Sequence, residues 1–213
     1  MTASLRHIIL AGGILALFAV AGTSLVALTH EATDERIAAN QRAATLATLH
    51  ELVPEERYDN DPVTDAITVT DRQALGSREP LTVYRARRDG EPVAAVLTAV
   101  APDGYGGPIR LLVAINHDGI LAGVRVVNHS ETPGLGDAIE AERSDWIHDF
   151  AGRSLGNPPL EDWRVEKDGG TFDQFTGATI TPRAVVAAVR RALQYYEDHR
   201  RELFGEPREE EES

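Results

Sequence analysis

Cysteine is absent from this chain of 213 residues. The chain can therefore form no disulfide, no c-type haem attachment and no cysteine-ligated iron–sulfur cluster. Lysine occurs once, at Lys167, so nearly all of the basic side chains are arginine. Acidic residues outnumber basic ones by 34 to 21, and the net charge of −13 argues against nucleic acid as a partner. Seven histidines are scattered with no pair at metal-ligand spacing, so no metal site is predicted; His129 alone stands beside a glycine-rich loop.

Ionisable side chains are missing from one long segment, residues 8–29. Its 22 residues are mostly Ile, Leu, Ala, Val, Phe and Gly, which is long enough for a helix that spans a bilayer. A cleaved signal peptide is the competing interpretation, but the stretch around Val26 to His30 has no good small-x-small cleavage site. We expect an uncleaved, single-pass transmembrane helix in contact with membrane lipid.

The positions of the arginines leave the orientation of this helix open. Arg6 precedes the segment, whereas Arg36 and Arg42 follow it, so the positive-inside count gives no support. That count is weak before a long domain, which translocates regardless of charge. The simplest topology places residues 1–7 in the cytoplasm and the following domain on the other side of the membrane. Beyond the span we expect a helical linker region at 30–62, a folded domain at 63–204 and an acidic, disordered tail at 205–213.

Alternating and apolar runs predict an antiparallel sheet after the linker. Turn residues Asp89-Gly90 and Asp118-Gly119 separate pairs of these runs and indicate hairpins. The predicted strands are 66–70, 82–86, 93–100, 109–115, 120–127 and 163–167. Short helices are expected at 137–142 and 144–150, and a long one after Thr181. The fold class is α+β: a transmembrane helix, then an antiparallel-sheet domain with flanking helices packed to one side.

Three threonines surround Gly177 immediately before the last helix. Thr181 is suited to cap that helix, and Pro182 to its first position, where a missing N–H costs nothing. A helix N-terminus offers unpaired N–H groups to an anion such as phosphate. By these features alone the segment is also compatible with an ordinary capped helix.

Three glycine-rich loops interrupt the predicted elements, at 103–108, 129–136 and 168–178. Each one alone is compatible with a simple turn. Together they offer backbone amides to a ligand, Tyr105 and Leu135 to cover a flat ring, and Thr132 to bond its edge.

The residues of these loops resemble one family. Gly-Tyr-x-Gly-Pro-Ile from Gly104, Glu-Thr-Pro-Gly-Leu-Gly from Glu131 and Asp-x-x-Thr-Gly-Ala-Thr from Asp173 follow an N-terminal anchor in this order. The third is similar to the flavinylation motif of the FMN-binding domain family. The whole pattern, except the acidic tail, resembles the G subunit of the Rnf electron-transport complex. Members of that family are membrane-bound and couple electron transfer between NADH and ferredoxin to ion translocation.

This resemblance implies a cofactor, a site and partners. FMN would be covalently bound through a phosphothreonyl linkage to Thr179, and the chain would act as the electron-transfer subunit of a translocase. Further cofactor contacts are implied at Thr132, Leu135, Gly136, Thr176, Gly177 and Ala178. A flavin transferase would recognise Asp173, Thr176, Gly177, Ala178 and Thr179. Further partners would be the other membrane and iron–sulfur or flavin subunits of the complex.

Other functions remain open from the residues alone. The second loop is shared with the C subunit of the sodium-translocating NADH:quinone reductase, although the short interval from anchor to domain favours Rnf. A membrane-tethered binding module without chemistry and an assembly subunit with a vestigial site are the remaining alternatives.

Overall fold

The chain forms two compact units, Met1–Leu46 and Ala47–Ser213. The structure is a computed structural model that describes residues 3–205, and for residues 3–6, 8, 27–35 and 38 it describes the backbone only. The expected acidic tail therefore lies, from Glu206 onward, outside the described residues.

The first unit is helical. Helix α1 covers Ala3–Leu52 without a break, so the expected span and the helical segment after it are one continuous helix. Its stretch Ile9–Val26 has a mean hydropathy of 2.2 and is long and apolar enough to cross a membrane. The stretch is apolar on all sides, and its described side chains are exposed. A helix that is apolar all round and finds no protein core among the described residues is suited to lipid.

The second unit is built on a five-stranded antiparallel sheet in the order β1-β2-β3-β4-β5. Five of the six predicted strands and both predicted hairpins are confirmed. The strands are β1 Ala66–Val69, β2 Leu81–Arg88, β3 Glu91–Ala101, β4 Ile109–Asn116 and β5 Leu121–Asn128.

Both faces of the sheet are covered, which explains why β3 and β4 are almost continuously apolar. In β4, Leu111 and Val113 point to the main core, while Leu112 and Ala114 point to the opposite face. The opposite face is covered by the end of α1, through Leu49 and other residues. The expectation that helices pack to one side only was therefore wrong.

Helix α3, Ile180–Leu203, covers the main core face. Its apolar stripe includes Val185, Val189 and Tyr196, which are fully buried against β3 and β4. A short helix α2, Arg72–Leu75, precedes β2 and packs on α3; it was not predicted from the sequence. Gly136–Ile139 and Asp145–Phe150 form 3₁₀ helices near the two predicted short helices.

The predicted strand at 163–167 is wrong. Residues 163–165 lie between two 3₁₀ turns, Leu160–Asp162 and Glu166–Asp168, and the second turn takes up the rest of the segment. Val165 makes only an isolated bridge to Phe172. Trp163 and Val165 are buried and alternate with exposed neighbours, so the burial pattern imitates a strand. The indole N–H of Trp163 donates to the carbonyl of Ser154 (3.1 Å), which anchors an irregular segment.

Candidate functional site

The three glycine-rich loops meet at the N-terminal end of α3 and enclose one cleft. We call them loop 1 (residues 103–108), loop 2 (129–136) and loop 3 (168–178). The cleft has a volume of about 260 Å³. It is lined by Tyr105, Glu131, Thr132, Leu135, Gly136, Gly177, Ala178, Thr179, Ile180 and Thr181.

Loop 1 and loop 2 are in backbone contact at Gly106. A Cβ atom at this position would lie 1.9 Å from the carbonyl oxygen of Ser130, so only glycine fits. The N–H of Gly106 donates to Oε1 of Glu131 at 2.9 Å. The glycine of loop 1 thus brings a backbone donor to a carboxylate of loop 2.

Loop 2 and α3 are joined by the same carboxylate. Oε2 of Glu131 accepts a hydrogen bond from the hydroxyl of Thr181. Both side chains are buried, at 5% and 1% exposure. A Cβ atom at Gly136 would lie 2.9 Å from Glu131 Oε2 and 3.0 Å from Thr181 Oγ1, so the backbone closes over this pair. Glu131 therefore connects all parts of the cleft wall that come from loop 1, loop 2 and α3.

The start of α3 differs from the sequence expectation. The helix begins at Ile180, so Thr179 occupies the N-cap position, and Pro182 is third in the helix rather than first. Thr181 is not the cap, because its hydroxyl is engaged by Glu131 inside the protein. Thr179 makes no capping hydrogen bond with its side chain and is partly exposed in the cleft. Pro182 still lies in the first turn, where its missing N–H has no intrahelical partner to lose.

Loop 3 is anchored on aromatic side chains. The indole N–H of Trp146 donates to the carbonyl of Asp173 at 2.9 Å, and the Trp146 ring contacts Phe175 edge-on at 5.1 Å. Phe172 is buried and stacks on Phe150 at 4.8 Å. The segment that leads to Thr179 is thereby fixed on both sides of Asp173.

An exposed ion pair ties loop 3 to the first turn of α3. The guanidinium of Arg183 donates two hydrogen bonds to the carboxylate of Asp168, at 2.6 and 2.7 Å. These hydrogen bonds lower the pKa of Asp168 below its ordinary value and raise the pKa of Arg183. The pair constrains the loop at its start, before the aromatic anchors in sequence.

His129 has a local role in loop 2. Its Nδ1 accepts the backbone N–H of Glu131 at 3.0 Å, so Nε2 carries the proton and donates to Oε1 of Glu140 at 2.7 Å. His129 is not among the residues that line the cleft. It fixes the backbone that presents Glu131.

Most of the site residues named from the sequence converge here. Six of the eight line the cleft: Thr132, Leu135, Gly136, Gly177, Ala178 and Thr179. Leu135 and Gly177 face each other, because a Cβ atom at Gly177 would lie 3.6 Å from Leu135 Cδ2. Asp173 and Thr176 lie on loop 3 and do not line the cleft.

Glu131 and Ile180 belong to the cleft but were missed by sequence reasoning. The sequence places Ile180 in the lead-in to the helix, yet its side chain is 46% exposed at the rim of the cleft. Glu131 enters the sequence reasoning only as the first residue of the loop motif. The available signal was that Glu131 is the single carboxylate of loop 2, where any burial would demand hydrogen-bond donors.

Comparisons with known proteins give two family matches for this chain. The family described as FMN-binding domain matches residues 104–194, and the family described as RnfG N-terminal region matches residues 1–52. The chain is similar to the G subunit of an ion-translocating oxidoreductase complex from Pseudomonas aeruginosa, with 51% identity over 90% of this chain and 89% of the relative. The corresponding protein of Shewanella loihica is 47% identical over 95% of each chain. That of Pseudoalteromonas atlantica is 49% identical over 91% and 90%.

A solved structure shows a weaker likeness. The C subunit of the Na(+)-translocating NADH-quinone reductase from Parabacteroides distasonis matches with a TM-score of 0.44 and 20% identity. The match covers 62% of this chain and 75% of that one.

Proposed function

The chain belongs to the family of G subunits of ion-translocating oxidoreductase complexes, and on that premise we propose that it relays electrons through FMN bound covalently to Thr179. The predicted family is confirmed by these relatives. Membership makes the chain a membrane flavoprotein, the electron-transfer subunit of a translocase whose partners are the other subunits of the complex. The Rnf-type reaction, electron transfer between NADH and ferredoxin coupled to ion movement, is the activity that we propose for the whole complex.

The residues of the cleft fit FMN. Leu135, Ile180 and Tyr105 supply apolar surface at 44%, 46% and 69% exposure, as a flat ring requires. Gly136 and Gly177 line the cleft without a side chain, so a ligand can approach closely there. The volume of about 260 Å³ is slightly below the usual range for ligand pockets, roughly 300–1,000 Å³, so part of the cofactor would reach beyond the cleft. Bound FMN accepts and releases electrons, while the protein orients it and sets its surroundings.

The observation that carries the assignment is the different state of three threonine hydroxyls. Thr181 is 1% exposed and bound to Glu131, so its hydroxyl is unavailable. Thr176 lies on loop 3 but does not line the cleft. Thr179 lines the cleft, makes no capping bond with its side chain and stands at the N-terminus of α3. The unpaired N–H groups and positive dipole end of a helix N-terminus favour a phosphate at that position.

The bond to Thr179 requires help from another protein. A threonine hydroxyl is a weak nucleophile unless a base removes its proton. Glu131, the carboxylate of the cleft, already accepts two hydrogen bonds. We therefore assign attachment to a separate flavin transferase, which would join Thr179 Oγ to the FMN phosphorus as the hydroxyl proton and the donor's leaving group depart. Its recognition sequence, Asp173, Thr176, Gly177, Ala178 and Thr179, lies in an exposed or partly exposed segment.

The test is in-gel flavin fluorescence of the full chain produced together with a flavin transferase. Thr179→Ala should abolish the fluorescence and leave membrane insertion intact, because it removes only a partly exposed hydroxyl. Thr171→Ala, an exposed threonine on the same loop but outside the recognition sequence, is the matched control and should stay fluorescent, and Thr179→Ser should recover at least part of the signal. Full fluorescence of Thr179→Ala, or its loss in Thr171→Ala alone, would overturn the assignment.

We further propose a periplasmic domain on the bacterial inner membrane. The apolar stretch Ile9–Val26 supports a single span, with residues 1–7 in the cytoplasm, 8–29 among the lipids and the FMN-binding domain at 63–204 outside. A flavin transferase would then meet its recognition sequence in the periplasm.

A further inference from the structure

Glu131 stands out because it is a buried carboxylate on the wall of a cofactor cleft. Its side chain is 5% exposed, and it lines the same cleft as Thr179 and Leu135. Burying a carboxylate is costly unless its oxygens are hydrogen-bonded. Hydrogen-bond donors from two other parts of the chain offset this cost. The position of the carboxylate therefore depends on how these parts come together in the site.

The carboxylate is held on both oxygens. Oε1 accepts the N–H of Gly106 at 2.9 Å, and Oε2 accepts the hydroxyl of Thr181. Both oxygens therefore act as hydrogen-bond acceptors, as the oxygens of an ionised carboxylate do. A Cβ atom at Gly104 or Gly136 would lie 2.8 or 2.9 Å from a Glu131 oxygen, so the loops leave the group no room to turn away.

We propose that Glu131 lowers the reduction potential of the FMN, an inference that rests on the proposed function above. Reduction adds electrons, and hence negative charge, to the cofactor. A fixed carboxylate in the same small cleft opposes that charge, and the opposition is stronger where water is excluded. Glu131 neither gains nor loses an electron. Its charge changes how readily the cofactor takes electrons from a partner subunit and passes them on.

Asp137 provides a matched control. It is also a buried carboxylate, 8% exposed, and follows loop 2 by one residue. It faces Arg143 at 3.7 Å and does not line the cleft. Replacing it with asparagine removes the same charge from the same part of the chain, but away from the cofactor.

The experiment is a spectroelectrochemical titration of the full chain, loaded with FMN and purified in detergent. Glu131→Gln should shift the midpoint potential of FMN to a more positive value. Asp137→Asn should shift it by much less, and Glu131→Asp, which keeps the charge, should stay closer to the wild type than Glu131→Gln. An unchanged or more negative potential in Glu131→Gln, or an equal shift in Asp137→Asn, would overturn the proposal.

Two further results keep the proposal separate from folding and from attachment. If Glu131→Gln does not fold, Leu135→Asp provides the test, because it adds a carboxylate at the exposed rim of the same cleft. The midpoint potential of FMN should then fall. An unchanged potential and flavin spectrum would refute the proposal that charge on the cleft wall controls the potential. A folded Glu131→Gln that takes up no FMN would refute it too, and would make Glu131 an assembly residue. The wild-type mass is measured first; FMN bound without a bond to Thr179 would contradict the attachment proposal, while the potentials could still be compared.

Discussion

Thr181→Val removes a single hydroxyl from the centre of the site and should destabilise the second unit. Valine has nearly the shape of threonine, so the main change is the loss of the hydrogen bond to Glu131. A hydrogen bond to a charged group contributes about 1.5–3 kcal/mol. For a domain of 150–250 residues each kcal/mol corresponds to about 2–4 °C in melting temperature, so we expect a decrease of roughly 3–12 °C.

Tryptophan fluorescence is the appropriate assay for this variant. The chain has two tryptophans, Trp146 and Trp163, and both lie in the core of the second unit, so the signal does not depend on the transmembrane stretch. Thr181→Ser, which keeps the donor, should melt above Thr181→Val. Thr176→Val, at a position outside the core, should stay within about 0.5 kcal/mol of the wild type. A Thr181→Val chain that melts with the wild type would refute a stabilising Glu131–Thr181 bond.

Two other predictions concern the ion pair and the topology. The hydrogen bonds with Arg183 lower the pKa of Asp168 below its ordinary value of 3.8. The ion pair therefore stabilises the fold fully when the pH is above 3.8, and this contribution is lost as the pH falls through the lowered pKa. The difference in melting temperature between the wild type and Asp168→Asn should therefore be constant near neutral pH and shrink below pH 3.8; a difference that grows on acidification would contradict this. Protease added to spheroplasts should digest the domain, whereas protection until lysis, or a mature N-terminus near residue 30, would exclude an anchored periplasmic domain.

The sheet could be predicted because its signals are local. Asp89-Gly90 and Asp118-Gly119 stand between alternating or apolar runs, and each hairpin pairs strands that are neighbours in sequence. The cover on the second face could not be seen in the same way. Leu49 is far in sequence from the strands on which it packs. The helical pattern around it does not indicate which surface of the protein it contacts.

The sequence predicted individual residues of the site but not the contacts between them. The threonine motif located Thr179, and the loop motif located Leu135. The wrong cap at Thr181 came from a local rule, in which a threonine before a proline starts a helix. What overrides the rule is a partner 50 residues away, Glu131, which takes the hydroxyl into the interior. Such a pairing depends on how three loops meet, and no local pattern encodes it.

Peptide mass spectrometry of the native chain tests the central claim, FMN on Thr179, most directly. Trypsin should release residues 168–183 as one peptide, because no lysine or arginine lies between Lys167 and Arg183. In protein purified from membranes of cells that contain the flavin transferase, we predict that this peptide is heavier by FMN less one water, and that fragmentation places the addition on Thr179. An unmodified peptide, or FMN on Thr176 or Thr181, would contradict the claim.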